Sequence, residues 1–372
     1  MARRTSRFFS VYLILPAAIW VLLLGFQAAL MAIDPYNFYP WSPARTIPED
    51  NYSTELAPYL LNIVRRSSVD TAMIGGSTAV NFLPADIRDI MGAKYAANLS
   101  YDAPRTEDMA LVLDKLSDAP QLKHLLLMLD YQYTNRMHMR RPLFPYELYD
   151  SDIAGRVLIF DKMAARLSLR ILRGQGIANP ENPYSAFRAQ ETEAYKTSLL
   201  PTQVAYLTKA INSGRNAVNA AGHKTCADFP MLTQKLIPFA HTMSRQGKRL
   251  DIIIPPLSLA YYYNVLMWPT QPGFDWHASL DNSLMLRRCV VFNTAGIKNV
   301  RIFGFDDERW LVEDMGNYYE PGHLHKLELF RYMLREIKAG RHQLTIKNFD
   351  AYDRSLRKRV LGYTYRNSAL GH

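Results

Sequence analysis

Cysteine is scarce in this chain of 372 residues, which contains only Cys226 and Cys289. There is no CxxC pair, no HExxH motif and no other spacing typical of a metal site. The sequence therefore indicates chemistry that needs no metal and no cofactor. The two cysteines could pair in an oxidising compartment, but one pair offers no spacing argument for or against a bond.

Charged residues are absent from residues 8–33, and no second run of apolar residues approaches this length. A membrane-spanning helix needs roughly 20 such residues, so the sequence predicts a single transmembrane anchor. Arg3, Arg4 and Arg7 precede the run. Positive residues favour the cytoplasmic side, so residues 1–7 are predicted to be a cytoplasmic tail and the main domain to be periplasmic or extracellular.

Two other interpretations of this run are a cleaved signal peptide and a buried core helix. The run is longer than a typical signal-peptide core, and residues 29–32 form a poor cleavage site. These features favour an uncleaved anchor in the inner membrane. They leave the signal peptide as the alternative to be tested.

Acidic residues are outnumbered by basic ones, which gives a formal net charge of +10. The basic residues are scattered and do not form an arm, so nucleic acid is not an expected partner. A basic domain outside the cytoplasm could contact anionic lipid heads or acidic polymers. A soluble basic surface without any partner explains the same charge equally well.

Short apolar runs alternate with segments of helical periodicity after the anchor, which predicts βαβ units around a parallel sheet. The fold class predicted is α/β: a three-layer sandwich with a central parallel sheet of about five strands. The predicted strands are residues 71–74, 94–99, 125–129, 250–254 and 299–303, and the predicted helices are residues 104–116, 231–246, 275–294 and 326–337.

The remaining segments set the predicted domain boundaries. Residues 34–50 are rich in proline and aromatic residues and are predicted to be a linker next to the membrane. Residues 51–340 form the α/β domain, and residues 136–222 interrupt it as a turn-rich insertion or lid with a helix at residues 157–172. Residues 341–372 are a basic C-terminal segment with a helix at residues 349–361.

Two short motifs carry the chemistry. Gly75-Gly76-Ser77 follows the first predicted strand, and Glu320-x-x-His323 comes before the last predicted helix of the domain. A serine needs a histidine to take its proton, and the histidine needs a carboxylate to hold its tautomer. Gly76 and its neighbours would present backbone N–H groups to an oxyanion. The two motifs together predict a nucleophilic serine.

Each motif has an ordinary structural interpretation when taken alone. Gly-Gly-Ser is a common turn, and Glu and His three residues apart often lie on a solvated helix face, although Pro321-Gly322 excludes a regular helix here. His325 is the rival base, two residues from His323. The Tyr261-Tyr262-Tyr263 cluster could stack on a sugar ring, but packing is the commoner role of such a cluster.

These motifs resemble the first and last conserved blocks of the SGNH (GDSL-like) hydrolase superfamily. The chain is similar in particular to the membrane-anchored envelope branch of this superfamily, which includes alginate O-acetylation and D-alanyl transfer proteins. The similarity lies in scattered short motifs between about residues 34 and 365. Besides the two catalytic motifs, these are Asp34-Pro-Tyr, Asn98-Leu-Ser-Tyr-Asp-Ala103, Leu129-Asp-Tyr-Gln-Tyr133, Ile254-Pro-Pro-Leu257 and Gly304-Phe305-Asp306.

The resemblance implies Ser77 as nucleophile, His323 as base and Glu320, where the family usually has Asp, as the group that orients the histidine. The family usually completes its oxyanion hole with a glycine N–H and an asparagine side chain. Here Ala103 lies near the expected glycine, Asp130-Tyr131 stands where Gly-x-Asn would be, and Asn98 is the candidate for a substitute donor. An ionised Asp130 would oppose an oxyanion.

The expected function is that of a membrane-anchored extracytoplasmic serine acyltransferase or esterase. It would act on O-acyl groups of an envelope or exported polysaccharide through an acyl-enzyme. The resemblance implies a multi-pass membrane O-acyltransferase as the partner that presents the acyl donor. The rival hypothesis is a non-catalytic component of a polysaccharide export or modification complex, in which the same fold serves only for binding.

Overall fold

The computed structural model of the chain describes residues 2–39, 41–43, 57, 60–131, 134, 144–146, 149, 162–174, 201–212, 224–264 and 279–364. Its central feature is a six-stranded sheet in the order β2-β1-β3-β4-β5-β8. Neighbours from β2 to β5 pair in parallel, and β8 pairs antiparallel to β5 at one edge. The strands are β1 (Thr71–Ile74), β2 (Ala96–Asn98), β3 (His124–Met128), β4 (Arg249–Ile254), β5 (Val300–Gly304), β6 (Tyr318–Glu320), β7 (His323–Leu324) and β8 (Gln343–Leu344).

The fold is α/β with a mostly parallel central sheet, and all five predicted strands are confirmed to within two residues at each end. Every residue of β1 and β3 is buried, so both faces of the sheet are covered. The helices are α1 (Ala2–Ile33), α2 (Leu61–Arg66), α3 (Pro84–Met91), α4 (Thr106–Ser117), α5 (Lys162–Leu172), α6 (Pro201–Asn212), α7 (Ile237–Arg245), α8 (Tyr261–Asn264), α9 (Leu280–Thr294), α10 (Arg309–Val312), α11 (Leu327–Ala339) and α12 (Ile346–Leu361).

The helices that flank the sheet fall into two groups by their mutual contacts. Helix α3 contacts α11, while α2, α4, α7, α9 and α12 contact one another in series. The predicted helices at residues 104–116, 326–337 and 349–361 correspond to α4, α11 and α12. The segment predicted at 231–246 begins with a π-helical turn at Leu232–Leu236 and continues as α7. Helices α2, α3, α6, α8 and α10 were not predicted.

Helix α1 is long and apolar enough to cross a membrane between Ile14 and Ile33. Its side chains point outward; Leu22 is 72% exposed and Trp20 is 63% exposed. A core helix would bury such residues, so the buried-core interpretation of this run is wrong. Among the α1 side chains whose burial is described, those of Gln27 and Leu30, near the end of the helix, are buried.

The predicted linker begins with a folded turn at residues 34–39. The Asp34 carboxylate accepts hydrogen bonds from the N–H groups of Phe38 and Tyr39, at 2.9 and 2.7 Å. Arg66 at the end of α2 donates to the carbonyl oxygens of Asn37 and Ser42, at 3.0 and 3.4 Å. These bonds fasten the turn to the domain, so the end of α1, this turn and α2 form one junction.

The interior of the predicted insertion at residues 136–222 is described mainly through α5 and α6. Helix α5 contacts α1, and α6 contacts α8. The rest of the insertion lies largely outside the described residues, so its interpretation as a lid stays a prediction.

Cys226 and Cys289 form a disulfide with a Cα–Cα distance of 5.5 Å. The bond joins the short helical turn at Cys226–Asp228 to α9. Within the described part of the chain it leaves no free cysteine. Disulfides of this kind persist in oxidising compartments and are rare in the cytosol.

We expect both cysteines to resist a maleimide–polymer reagent in unreduced, denatured samples from intact cells, and both to react after reduction. The measurement is the shift in gel mobility, one step for each modified thiol. The Cys289→Ser variant is the control, since its single remaining thiol should react without reduction. Two reactive thiols in the unreduced wild-type protein would contradict the bond and the oxidising compartment.

Candidate active site

Ser77 is positioned by a tight turn at the carboxyl end of β1. A Cβ atom on Gly75 would lie 2.8 Å from the Cβ atoms of both Ala79 and Met128, so only glycine lets the chain turn this close to β3. Ser77 then opens a short 3₁₀ helix that ends at Ala79. The first N–H groups of a helix have no acceptor within it, so the backbone at Ser77 can donate to an oxyanion.

Asn98 supports this turn from the end of β2. Its side-chain amide donates to the carbonyl oxygens of Ala79 and Phe82, at 2.9 and 2.8 Å, and its oxygen accepts from the N–H of Ser100 at 2.8 Å. An asparagine amide has two N–H donors, and here both are occupied. In this arrangement Asn98 braces the serine turn and has no N–H group left to donate to an oxyanion.

His323 and Glu320 lie on a small antiparallel ribbon formed by β6 and β7, in which they are directly paired. The ribbon brings His323 Nε2 to 2.6 Å from Ser77 Oγ, although 246 residues separate the two in sequence. On the other side of the ring, His323 Nδ1 bonds to Glu320 Oε1. The predicted convergence of these three side chains is confirmed, and the order serine–histidine–carboxylate is that of a catalytic triad.

The loop between Glu320 and His323 is held from two sides. The N–H of Gly322 donates to Glu320 Oε1 at 3.2 Å, which fixes the carboxylate. The carbonyl oxygen of Pro321 accepts from both the N–H and the hydroxyl of Ser258, at 3.1 and 2.8 Å. Ser258 follows β4, so the parallel sheet supports the histidine as well as the serine. The sequence analysis did not identify Ser258, which has no catalytic motif around it.

Three carboxylates influence the histidine. Burial alone would lower the pKa of His323, but the charge and hydrogen bond of Glu320, with smaller effects of Asp130 and Asp102, raise the pKa above its ordinary value. The Asp130 carboxylate lies near the serine turn, since its Oδ2 atom would be 3.6 Å from a Cβ on Gly76. Asp102 was missed in the sequence, although its place after β2 beside Ala103 is a usable signal.

Ala103 adopts a left-handed backbone conformation with φ 48°. This region is unfavourable for an L-residue, and a residue before proline normally takes an extended conformation, so the conformation is strained on two counts. The next residue, Pro104, would be 3.4 Å from a Cβ on Gly76, which places this strained segment against the serine turn. Strain of this kind clusters at functional sites, and glycine is the residue that would relieve it.

The other candidates from the sequence have structural roles. The Nε2 atom of His325 lies 3.1 Å from the carbonyl oxygen of Gly316, whereas the histidine nitrogen that contacts Ser77 Oγ is that of His323. Burial lowers the pKa of His325. Tyr262 and Tyr263 are buried at 1% and 2% exposure, which supports packing. Asp306, which follows β5, is completely buried and pairs with Arg287, so it supports the core.

We expect the acid limb of kcat/KM for a chromogenic ester to titrate above pH 6.5, the ordinary pKa of histidine. His323 acts as a base only when neutral, so a raised pKa moves the loss of activity to higher pH. Glu320→Gln removes the charge that raises this pKa and should shift the limb to lower pH while lowering the rate. Asp102→Asn should shift it less in the same direction.

The raised pKa of His323 affects stability in the opposite direction: activity increases as pH rises through this pKa, whereas stability decreases. Protonated His323 stabilises the folded state fully below pH 6.5, and this contribution is lost as pH rises through the raised pKa. Thermal denaturation of wild type and Glu320→Gln across this pH range provides the check. An acid limb unchanged by Glu320→Gln would show that Glu320 does not control the histidine.

Among the described residues, no group of three or more His, Cys, Asp or Glu side chains is arranged to hold a metal ion. Comparison of the chain with protein-family models finds no match, and comparison with the curated proteins finds none either.

Proposed function

We propose that this protein is a membrane-anchored, extracytoplasmic serine acyltransferase or esterase of the SGNH type. The observation that carries the proposal is the alignment of Ser77 Oγ with His323 Nε2 at 2.6 Å and of His323 Nδ1 with Glu320. This arrangement activates a hydroxyl whose unassisted nucleophilicity is weak. The α/β sheet that presents both motifs at one region also fits the SGNH resemblance.

In the proposed reaction, Ser77 Oγ attacks the carbonyl carbon of an acyl ester while His323 Nε2 takes the hydroxyl proton. The tetrahedral intermediate collapses to an acyl-enzyme, and His323 returns the proton to the departing alcohol. A second hydroxyl, from a sugar or from water, then gives its proton to His323 and attacks the acyl carbon. As the bond between the acyl carbon and Ser77 Oγ breaks, His323 returns that proton to Ser77 Oγ, which restores the free serine. Glu320 holds the ring so that Nε2 faces the serine throughout.

The substrate class follows from the resemblance and from location. Helix α1 would hold the domain at the membrane, and the disulfide fits an oxidising compartment outside the cytoplasm. An enzyme tethered there meets envelope or exported polysaccharides. A multi-pass membrane O-acyltransferase that delivers the acyl group is the partner this arrangement calls for.

The rival function is that of a non-catalytic binding component with the same fold, and two observations favour it. Asn98 has no donor left for an oxyanion, and Asp130 brings a carboxylate towards the serine turn. Negative charge at that place opposes an oxyanion. Backbone donors at Ser77 and at the strained Ala103 segment are what the catalytic proposal relies on instead.

The discriminating experiment is covalent labelling with a fluorophosphonate, which reacts with serines activated by a histidine. We expect labelling of the wild-type protein and none of Ser77→Ala, with mass spectrometry placing the adduct on Ser77. Ser355→Ala, a change of the same kind at an exposed position on α12, should label like wild type. Absence of wild-type labelling across pH 6 to about pH 9 would favour the binding component.

A further inference from the structure

A cavity of about 500 Å³ lies far from the serine site, at the opposite edge of the central sheet. Its walls include Arg65 and Arg66, which end α2 just before β1, and Lys115 and Asp118, which lie at the end of α4 before β3. Ser77 follows the carboxyl end of β1. The cavity therefore opens at the amino edge of the parallel strands.

The junction with helix α1 supplies the remaining wall. Asn37 and Phe38 line the cavity, and they follow the last residue of α1, Ile33, by four and five positions. The folded turn that contains them is fastened by Asp34 and Arg66. If α1 spans a bilayer, the wall of the cavity is only four or five residues along the chain from the end of the spanning helix.

The chemistry of the walls is polar and basic. Arg65, Arg66 and Lys115 face one acid, Asp118. The guanidinium of Arg66 is occupied by backbone carbonyl oxygens, whereas Arg65 donates through one terminal nitrogen to Asn62 and has no hydrogen-bond partner for its buried Nε atom. Arg65 and Lys115 are therefore the cations that a ligand would meet.

Asn37 adds an unusual feature, because its side chain is 0% exposed yet neither its amide nitrogen nor its oxygen has a hydrogen-bond partner in the described structure. Burial of an unpaired amide costs free energy, and native proteins almost always satisfy such groups. Its backbone is also held in the left-handed region at φ 58°. An amide without a protein partner in the wall of a cavity is suited to a ligand that supplies its hydrogen bonds.

The surface near the junction is suited to a bilayer. Helix α5 contacts α1, and its Leu169 and Leu172 are 48% and 69% exposed beside the basic residues Arg166 and Arg170. Trp41 in the junction is 60% exposed and stacks on Tyr39. An amphipathic basic helix and an exposed tryptophan are typical of the membrane–water interface.

From the placement, the charge and the unpaired amide, we propose that this cavity binds the phosphodiester head group of an anionic phospholipid. Arg65 and Lys115 would contact the phosphate oxygens, the Asn37 amide would bind the phosphate or the head-group hydroxyls, and the acyl chains would remain in the bilayer beside α5. A basic pocket next to a membrane helix recognises a lipid phosphate through charge-assisted hydrogen bonds. The site would hold the domain in one orientation on the membrane.

The test uses the full chain in a non-ionic detergent and measures thermal stability as short-chain phosphatidylglycerol is added. We expect a saturable rise in Tm that the same concentration of short-chain phosphatidylcholine does not produce. Arg65→Gln combined with Lys115→Gln should weaken the apparent affinity by about tenfold or more, because both charged hydrogen bonds to the phosphate are lost. Asn37→Asp, which keeps the shape and repels the phosphate, should abolish the rise.

The matched control removes two basic residues from the exposed face of α12, Arg354→Gln with Lys358→Gln, and should respond like wild type. An equal loss in that control would attribute the effect to overall charge and overturn the site. Equal responses to the anionic and the zwitterionic lipid would also overturn it. The soluble head group glycerophosphoglycerol should raise Tm at least about tenfold less potently than the lipid. Equal potency would overturn the proposal that the ligand is a lipid and would indicate a soluble phosphodiester.

Discussion

Replacing Ser77 by alanine is expected to abolish acylation of the polymer substrate, and His323→Ala is expected to do the same. Each change should lower kcat by at least about a thousandfold, since the serine forms the covalent bond and the histidine carries its proton. Neither should reduce the amount of folded protein in the membrane, since both side chains lie at the rim of the sheet. The measurement is polymer acyl content in cells carrying each variant, with the protein level determined in the same cells.

The combination of the two changes is more informative than either change alone. Groups that act as one relay fail together, so Ser77→Ala with His323→Ala should be no worse than Ser77→Ala. Glu320→Ala should cost less, because it removes only the group that orients the ring. Wild-type acylation in the Ser77→Ala strain would remove the enzymatic proposal and leave the binding component.

His325→Ala is the internal control for this series. Its Nε2 atom is bonded to the carbonyl oxygen of Gly316, so the variant should lose stability but keep its activity per folded molecule. Loss of activity without loss of stability would make His325 a participant. The two histidines, two residues apart, thus separate a role in chemistry from a role in structure.

Much of the fold could be predicted because buried parallel strands are continuous apolar runs. Strand β1 matches its predicted residues 71–74, and β4 begins one residue before its prediction. Strands β7 and β8 have only two residues each, which is too short for any periodicity. Helix α3 was missed although Pro84 at its start and Gly92 after its end are ordinary helix signals.

The serine and histidine could be predicted because each chemical role requires a particular residue type in a loop after a strand. The identity of the oxyanion donors could not, because a side chain's hydrogen bonds depend on its neighbours in space. Asn98 has a suitable amide and a suitable position, yet Ala79 and Phe82 occupy both donors. Likewise, no sequence pattern distinguishes an exposed aspartate after β5 from the buried Asp306.

The Arg287–Asp306 pair leads to the largest stability prediction. Both side chains are almost completely buried, and Arg287 lies 3.2 Å from Asp306. Tyr352 donates to the same Asp306 oxygen at 2.7 Å, and Arg287 donates to Tyr262 at 3.1 Å. Asp306→Ala should lower the free energy of unfolding by about 3–5 kcal/mol, because it leaves an uncompensated guanidinium in the core. Urea denaturation measures this loss.

Arg288 and Asp350 provide a matched control one residue along α9. They form an ion pair at 3.1 Å, but their side chains are 44% and 62% exposed, so Asp350→Ala should cost no more than about 1 kcal/mol. Combining Asp306→Ala with Arg287→Met should cost less than the sum of the single changes, because each single change leaves the other charge buried without its partner and the combination removes both charges. Equal costs for Asp306→Ala and Asp350→Ala would show that Asp306 is solvated. Fluorophosphonate labelling of the folded Asp306→Ala protein should proceed at the wild-type rate, because this aspartate supports the core and takes no part in the chemistry at Ser77.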